Sequence, residues 1–164
     1  MAFATRADLL ARSNAMRLVE LAVPADKEML PDDALRTAIT GGNISIYTAD
    51  EQATLALALD AIDKALADAD ALLLSYGIPP TVQTTLLARL ASTVALYYLQ
   101  GGERMAEDVS KAYDGVIDTL KSHSKGLVNL IPPALTDPVL TDDAVVFESS
   151  PRRYGSVSTT VSDW

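Results

Sequence analysis

Hydrophobic residues recur along the middle of the chain at the spacing of an α-helix. Between residues 48 and 76 they alternate at intervals of four and three residues, which places them in one stripe on a helix surface. Thr48 and Glu51 have the spacing of a capping box, so the helix is predicted to begin there. It is predicted to end near Gly77, because a C-cap glycine is followed by two prolines. Alanines flank the stripe and favour close approach of a neighbouring helix. The stripe consists of Leu55, Leu59, Ile62, Leu66, Ala69, Leu73 and Tyr76.

Two further amphipathic patterns follow the prolines. One predicts a helix that begins at Thr81 and ends at Gly101-Gly102. The other predicts a helix from near Glu103 to Lys125-Gly126, where a cation suits the helix dipole and glycine suits the cap. Short connections between these helices favour antiparallel neighbours. The predicted interior contains Leu59, Ile62, Leu66, Leu87, Leu90, Val94, Val109, Tyr113 and Ile117.

The patterns before residue 48 are weaker. Thr5 is followed by an apolar stripe to about Val19, which predicts one short helix. A second helix is predicted from residues 31–33, whose aspartates suit an N-cap, to Gly41-Gly42. Residues 43–47 are interpreted as a connector. The long helix and its shorter neighbours therefore predict an all-α fold, a helical bundle around a long central helix.

The composition changes after Gly126. Half of the eight prolines fall in the last 38 residues, where Val, Ser and Thr replace Ala and Leu. We therefore divide the chain into a helical bundle domain, residues 1–126, and an extended C-terminal arm, residues 127–164. Residues 145–147 and 157–161 can form short strands on a neighbouring chain. The alternative is that the tail folds back on its own bundle. The partner-binding candidates in the arm are Val145, Val146, Phe147, Arg152, Arg153, Tyr154 and Trp164.

The charge of the chain is negative and unevenly distributed. A net charge of -9 repels a phosphate backbone, so a general nucleic-acid-binding surface is not expected. Residues 48–76 hold most of the excess, since one lysine against six acidic residues gives -5. Four aspartates lie there on the side of the helix away from the stripe: Asp60, Asp63, Asp68 and Asp70. The plain interpretation of these four is a solvated outer face.

The residues that enzymes and metal sites need are scarce. The chain has no cysteine and one histidine, His123, so thiolate sites and paired-histidine metal sites are excluded. His123 lies at a predicted helix C-terminus, where a solvated imidazole that favours the dipole is the ordinary interpretation. The uncharged stretch at residues 71–88 contains glycine and two prolines and does not suit a membrane helix. We expect a soluble protein without enzymatic activity, metal, cofactor or membrane association.

A series of motifs runs in a fixed order from Pro79 to Leu130. A proline-led helix with an arginine-bearing middle runs into Tyr97-Tyr98 and a glycine turn, and a second helix exits through Lys125-Gly126. The second helix carries the apolar series Val109, Tyr113, Ile117 and Leu120. In this order and spacing the segment resembles the Mu-like prophage head-tail adaptor family. The Thr5-x-x-Asp8 start and the Arg153-Tyr154 to Trp164 end fit the same family.

The resemblance implies a small helical head-tail connector of a tailed phage. It implies a homo-oligomeric, dodecameric ring that binds the portal and receives a stopper or tail protein, in the host cytoplasm during assembly and then in the virion neck. DNA would pass through the ring during ejection without specific binding. An acidic wall keeps phosphates from sticking, so Asp60, Asp63, Asp68 and Asp70 are channel-lining candidates. The alternatives are a tail-completion or stopper protein of the neck, and a small DNA-binding packaging or regulatory protein.

Overall fold

Six α-helices make up the part of the chain that the computed structural model describes, residues 2–101 and 106–132. No strand occurs in those residues. The predicted all-α fold is confirmed, whereas the seven partner-binding candidates of the arm lie outside the described residues. The helices are α1 (Arg6–Arg12), α2 (Ala15–Ala22), α3 (Asp32–Ile39), α4 (Ala49–Ser75), α5 (Thr85–Gln100) and α6 (Glu107–Ser124).

The central helix α4 has the bounds that the sequence predicts, and five members of its predicted stripe are buried, whereas Leu59 and Tyr76 are partly buried against the core. The backbone N–H of Glu51 donates to the Thr48 hydroxyl at 3.3 Å, and the Glu51 carboxylate accepts from the Thr48 N–H at 2.7 Å, which completes the capping box. Gly77 follows the helix with a φ of +83°, a left-handed conformation that glycine adopts without steric cost. The buried residues of α4 are Thr54, Leu55, Ala58, Ile62, Ala65, Leu66, Ala69 and Leu73.

Helix α5 packs against both α4 and α6, and its buried residues are Leu87, Leu90, Ala91, Ser92, Val94, Ala95 and Gln100. Its predicted start at Thr81 is wrong, because the Thr84 hydroxyl accepts from the Leu87 N–H at 3.1 Å and caps the helix. Residues 79–82 instead form a turn closed by a bond from the Val82 N–H to the Pro79 carbonyl. Ser92, buried in α5, donates its hydroxyl to the Ala88 carbonyl at 2.7 Å.

Helix α6 faces the core with a different set of side chains from the predicted one. Val116 and Leu120 are buried and Tyr113 packs beside them, whereas Val109 and Ile117 are partly exposed and lie outside the core cluster. Because α6 packs mainly against α5, only a narrow stripe of it is covered. The helix also begins at Glu107 rather than near residue 103.

The single helix predicted near the N-terminus is two helices, α1 and α2. Ser13 is extended, with φ -125° and ψ 153°, and ends α1. The Asn14 side chain then accepts from the Arg17 N–H at 2.6 Å and caps α2. Asparagine is among the best N-cap residues, so its position explains the break. The predicted end of α3 is confirmed, since Gly41 follows it with a φ of +76°.

The chain continues over the bundle after α6. Gly126 turns the backbone with a φ of +73°, and Leu130, which is only 5% exposed, packs into the core. The first residues of the predicted arm thus contribute to the bundle, beyond the boundary predicted at residue 126. Residues 133–164 lie outside the described residues.

Candidate assembly surfaces

The residues before α1 lie against the acidic side of α4. The Arg6 guanidinium donates through Nε to the Asp63 carboxylate at 2.7 Å, and a second contact through Nη2 makes the pair bidentate. The hydrogen bond from Arg6 lowers the pKa of Asp63 below its usual value, and the same bond raises the pKa of Arg6. This ion pair therefore holds the start of α1 on the middle of α4.

Asp70 provides the second attachment of the N-terminal residues. Its carboxylate accepts from the backbone N–H of Phe3 at 2.9 Å, and the Phe3 side chain is buried in the core. Burial raises the pKa of Asp70, and the hydrogen bond from Phe3 offsets part of that rise. The Gln83 side-chain amide also donates to the Ala2 carbonyl at 3.2 Å, so the segment is bound from two sides.

The four channel-lining candidates consequently do not share one environment. Asp63 and Asp70, seven residues apart and so two turns along the helix, both face the N-terminal segment. Asp60 pairs with Lys64 at 2.6 Å on the exposed surface. Within the described ranges, Asp68 has neither an ion pair nor a hydrogen bond to its carboxylate. Whether any of the four lines a channel stays a prediction.

The opposite pKa shifts of Asp63 and Asp70 predict opposite effects of amide substitution. A lowered folded pKa means that ionised Asp63 stabilises the fold above the unfolded value of about 3.9 and loses this contribution as the pH falls through the folded pKa. Asp63→Asn should lower the free energy of unfolding at pH 7 by about 0.2–1 kcal/mol, the range of exposed ion pairs.

The contribution of Asp70 to the free energy of unfolding has the opposite sign. Its pKa is raised in the folded protein, so folding disfavours the ionised carboxylate, and stability is lost as the pH rises through that pKa. Asp70→Asn should leave the protein equally or more stable at pH 7, since the amide oxygen can still accept from the Phe3 N–H. Urea unfolding of both variants at pH 7 and at pH 2.5 checks this. Both differences from the parent protein should shrink at the lower pH, and an equal loss in both variants at pH 7 would contradict the assignment.

His123, the single histidine of the sequence, contacts the backbone of the segment that follows α6. Its ring Nδ1 lies 3.1 Å from the Val128 carbonyl oxygen and 3.4 Å from the Leu130 backbone nitrogen. Nδ1 can donate to the first or accept from the second, depending on the tautomer. The ring therefore attaches the segment after α6 to the last turn of that helix. The sequence had suggested only a solvated imidazole at the helix end.

His123→Ala is predicted to leave assembly and phage viability nearly intact. The contacts of the imidazole given by the structure are to its own chain, so the expected cost is that of one hydrogen bond, about 0.5–1.5 kcal/mol. Thermal unfolding and plaque titres of the variant phage measure the two effects. Loss of infectivity with an unchanged helical signal would contradict this prediction and indicate a chemical role.

Three tyrosines form an aromatic cluster between α5 and α6. Tyr97 and Tyr113 stack with ring centroids 3.9 Å apart and planes 12° from parallel, and Tyr98 meets both edge-on. Burial raises the pKa of Tyr113. The Tyr97-Tyr98 motif thus fastens the two helices together, although Tyr98 remains 37% exposed. Sequence reasoning placed Tyr113 in the interior but did not predict its stacking partner.

A groove between α5 and α6 is a surface that sequence reasoning missed. It has a volume of about 340 Å³. Leu86 at its rim is 46% exposed, and Arg89 brings a positive charge to it. No periodicity signal marks it, because an exposed leucine in an amphipathic helix looks like a core residue. The groove is lined by Leu86, Arg89, Leu90, Thr93, Ala112, Gly115, Val116 and Thr119.

Within residues 2–101 and 106–132, no three histidine, aspartate or glutamate side chains are close enough to hold a metal ion together. In that part of the chain no helix has the length and apolarity needed to cross a membrane.

Comparison with known proteins gives one family. A protein-family model described as Bacteriophage Mu, Gp36 matches residues 3–149, a range that includes all six helices. No curated protein matches the chain significantly.

Proposed function

Because the chain belongs to the bacteriophage Mu Gp36 family, and is thus a phage protein, we propose that it is a head-tail connector of the virion neck. In this role it forms a homo-oligomeric ring, binds the portal on one side and receives a stopper or tail protein on the other. It acts as a structural adaptor without enzymatic activity, metal or cofactor. DNA passes through the ring during ejection.

The match over residues 3–149 carries the proposal, since it extends over the whole helical bundle rather than over one motif. Within that range, the order of motifs from residue 79 to residue 130 resembles head-tail adaptors. The match gives the phage context, and the motif order supports the connector role within it.

Exposed apolar side chains on the bundle support an assembling protein. Leu57 and Leu74, both 45% exposed, lie on α4, and Leu86 lies at the rim of the groove between α5 and α6. Single exposed leucines are ordinary on a protein surface, whereas an apolar groove with polar side chains beside it is typical of a surface that a partner covers, so the groove at Leu86 is the stronger support. The charge of residues 48–76 suits a protein that DNA passes without binding.

Reconstitution with the portal tests the proposal. The purified chain is mixed with portal oligomers of its own phage and examined by sedimentation and electron microscopy. We expect a ring on one end of the portal. Attachment to isolated tails but not to portal or capsids would favour a tail-completion protein. A mobility shift of duplex DNA at low salt would favour the packaging or regulatory alternative.

A further inference from the structure

The groove between α5 and α6, called the α5/α6 groove below, is open to a further helix. A Cβ added at Gly115, in the middle of α6, would meet no heavy atom within 4 Å. Packing within the chain therefore does not require glycine there, although glycine weakens a helix interior relative to alanine. The neighbouring Ala112 and Thr119 are also small, and Leu86 offers an apolar rim. These properties suit a groove that receives a closely packed helix.

The side of α4 that points away from the core has the matching character. Several alanines lie on it beside the Asp60–Lys64 ion pair, and Leu57 and Leu74 lie exposed near its two ends. We call this surface the outer face of α4. Its exposed members include Ala53, Ala56, Leu57, Asp60, Lys64, Ala67, Asp68, Ala71 and Leu74, with the Asp60–Lys64 ion pair near its middle.

The two surfaces carry complementary charges. In the described part of the chain, the Arg89 guanidinium has no acidic partner and the Asp68 carboxylate has no cationic one. Three of the four channel-lining candidates are already engaged, Asp60 by Lys64, Asp63 by Arg6 and Asp70 by the Phe3 N–H. Charged groups arranged opposite each other across an interface fix register and suppress wrong pairings. Arg89 and Asp68 are thus available to set such a register.

The two surfaces lie on different sides of the bundle. The outer face of α4 is opposite the stripe that packs into the core, whereas the α5/α6 groove lies where α5 meets α6. One copy therefore cannot bring its own two surfaces together. A contact that joins different surfaces of identical chains is heterologous, and it builds a ring when the rotation from copy to copy closes.

We infer that copies of this chain join head to tail, with the outer face of α4 of one copy in the α5/α6 groove of the next and Asp68 opposite Arg89. This inference rests on the proposed ring and names the surfaces that build it. A second copy fits better than an unrelated helix, because the same chain supplies both the alanine-bearing face and the opposite charge.

Charge reversal at the two positions tests the contact. Arg89→Glu and Asp68→Arg each place like charges opposite one another in the interface and should reduce ring yield on portal by more than about tenfold. The double variant restores opposite charges in exchanged positions and should recover most of the yield. Sedimentation and electron microscopy report the rings, and circular dichroism reports the fold.

The controls are the same charge changes at exposed positions outside both surfaces, Arg36→Glu on α3 and Asp26→Arg in the turn after α2. Both should assemble like the parent protein. Normal rings in the two single variants, or no recovery in the double variant, would overturn the contact while leaving the ring intact. Asp68→Arg rings that form normally but slow genome exit would place Asp68 in the channel instead. If the parent protein forms no ring on portal, the proposed function itself is wrong.

Discussion

Replacing Leu87 with alanine is expected to lower the free energy of unfolding by about 2–5 kcal/mol, the range measured for deleting a fully buried leucine side chain. Leu87 lies in the middle of the core between α4 and α5, with no exposed surface. The neighbouring Leu86 is the matched control, because it has the same side chain and lies on the same helix but is 46% exposed in the single chain. Leu86→Ala should cost less than about 1 kcal/mol.

Urea unfolding of the two alanine variants, followed by helical signal, measures this contrast. Adjacent residues on a helix point about 100° apart, so the comparison tests the register of α5 directly. Equal losses in both variants, or a larger loss for Leu86→Ala, would mean that α5 is rotated from the position described.

Enlarging a buried alanine of α4 is the second change with a large expected effect. Ala69 has no exposed surface and lies on the stripe of α4 that packs into the core. Ala69→Leu forces extra methyl groups between packed side chains and should lower the free energy of unfolding by about 1–3 kcal/mol. Ala71→Leu adds the same volume on the exposed side and should have little effect on the single chain.

Thermal unfolding at a concentration where the chain is a single subunit separates the two alanine variants. If Ala69→Leu unfolds at the same temperature as the parent protein, α4 and its neighbours are not packed as closely as the structure shows. If Ala71→Leu is the more destabilised of the two, the buried and exposed sides of α4 are assigned the wrong way round.

Local sequence signals were sufficient to predict a helix where one N-cap signal and one apolar stripe coincided. The Thr48 capping box and the stripe to Tyr76 predicted α4 correctly, because each signal acts over three or four residues of the same chain. They failed where local signals compete. Thr81 and Thr84 are both good caps, and only the turn at residues 79–82 leaves the second one at the helix start.

The exact face of α6 that is buried could not be derived from its sequence. Val109, Tyr113, Val116 and Leu120 lie within about 60° of one another around the helix axis, and Ile117 lies at the edge of this stripe. Packing on α5 buries Val116 and Leu120, whereas Val109 in the first turn and Ile117 at the edge stay partly exposed, and the stack of Tyr113 on Tyr97 belongs to the same contact. The same packing created the α5/α6 groove.

The sequence alone determined the all-α class, the long central helix and the scarcity of catalytic and metal-binding side chains. Only the tertiary structure decided which acidic residues are engaged, since Arg6 and Asp63 are 57 positions apart and Phe3 and Asp70 are 67 apart. The physical reason is the distance along the chain over which each kind of interaction acts. Hydrogen-bonded caps and hydrophobic periodicity act within a few turns of one helix, whereas an ion pair, a groove or an exposed face depends on how separate helices pack.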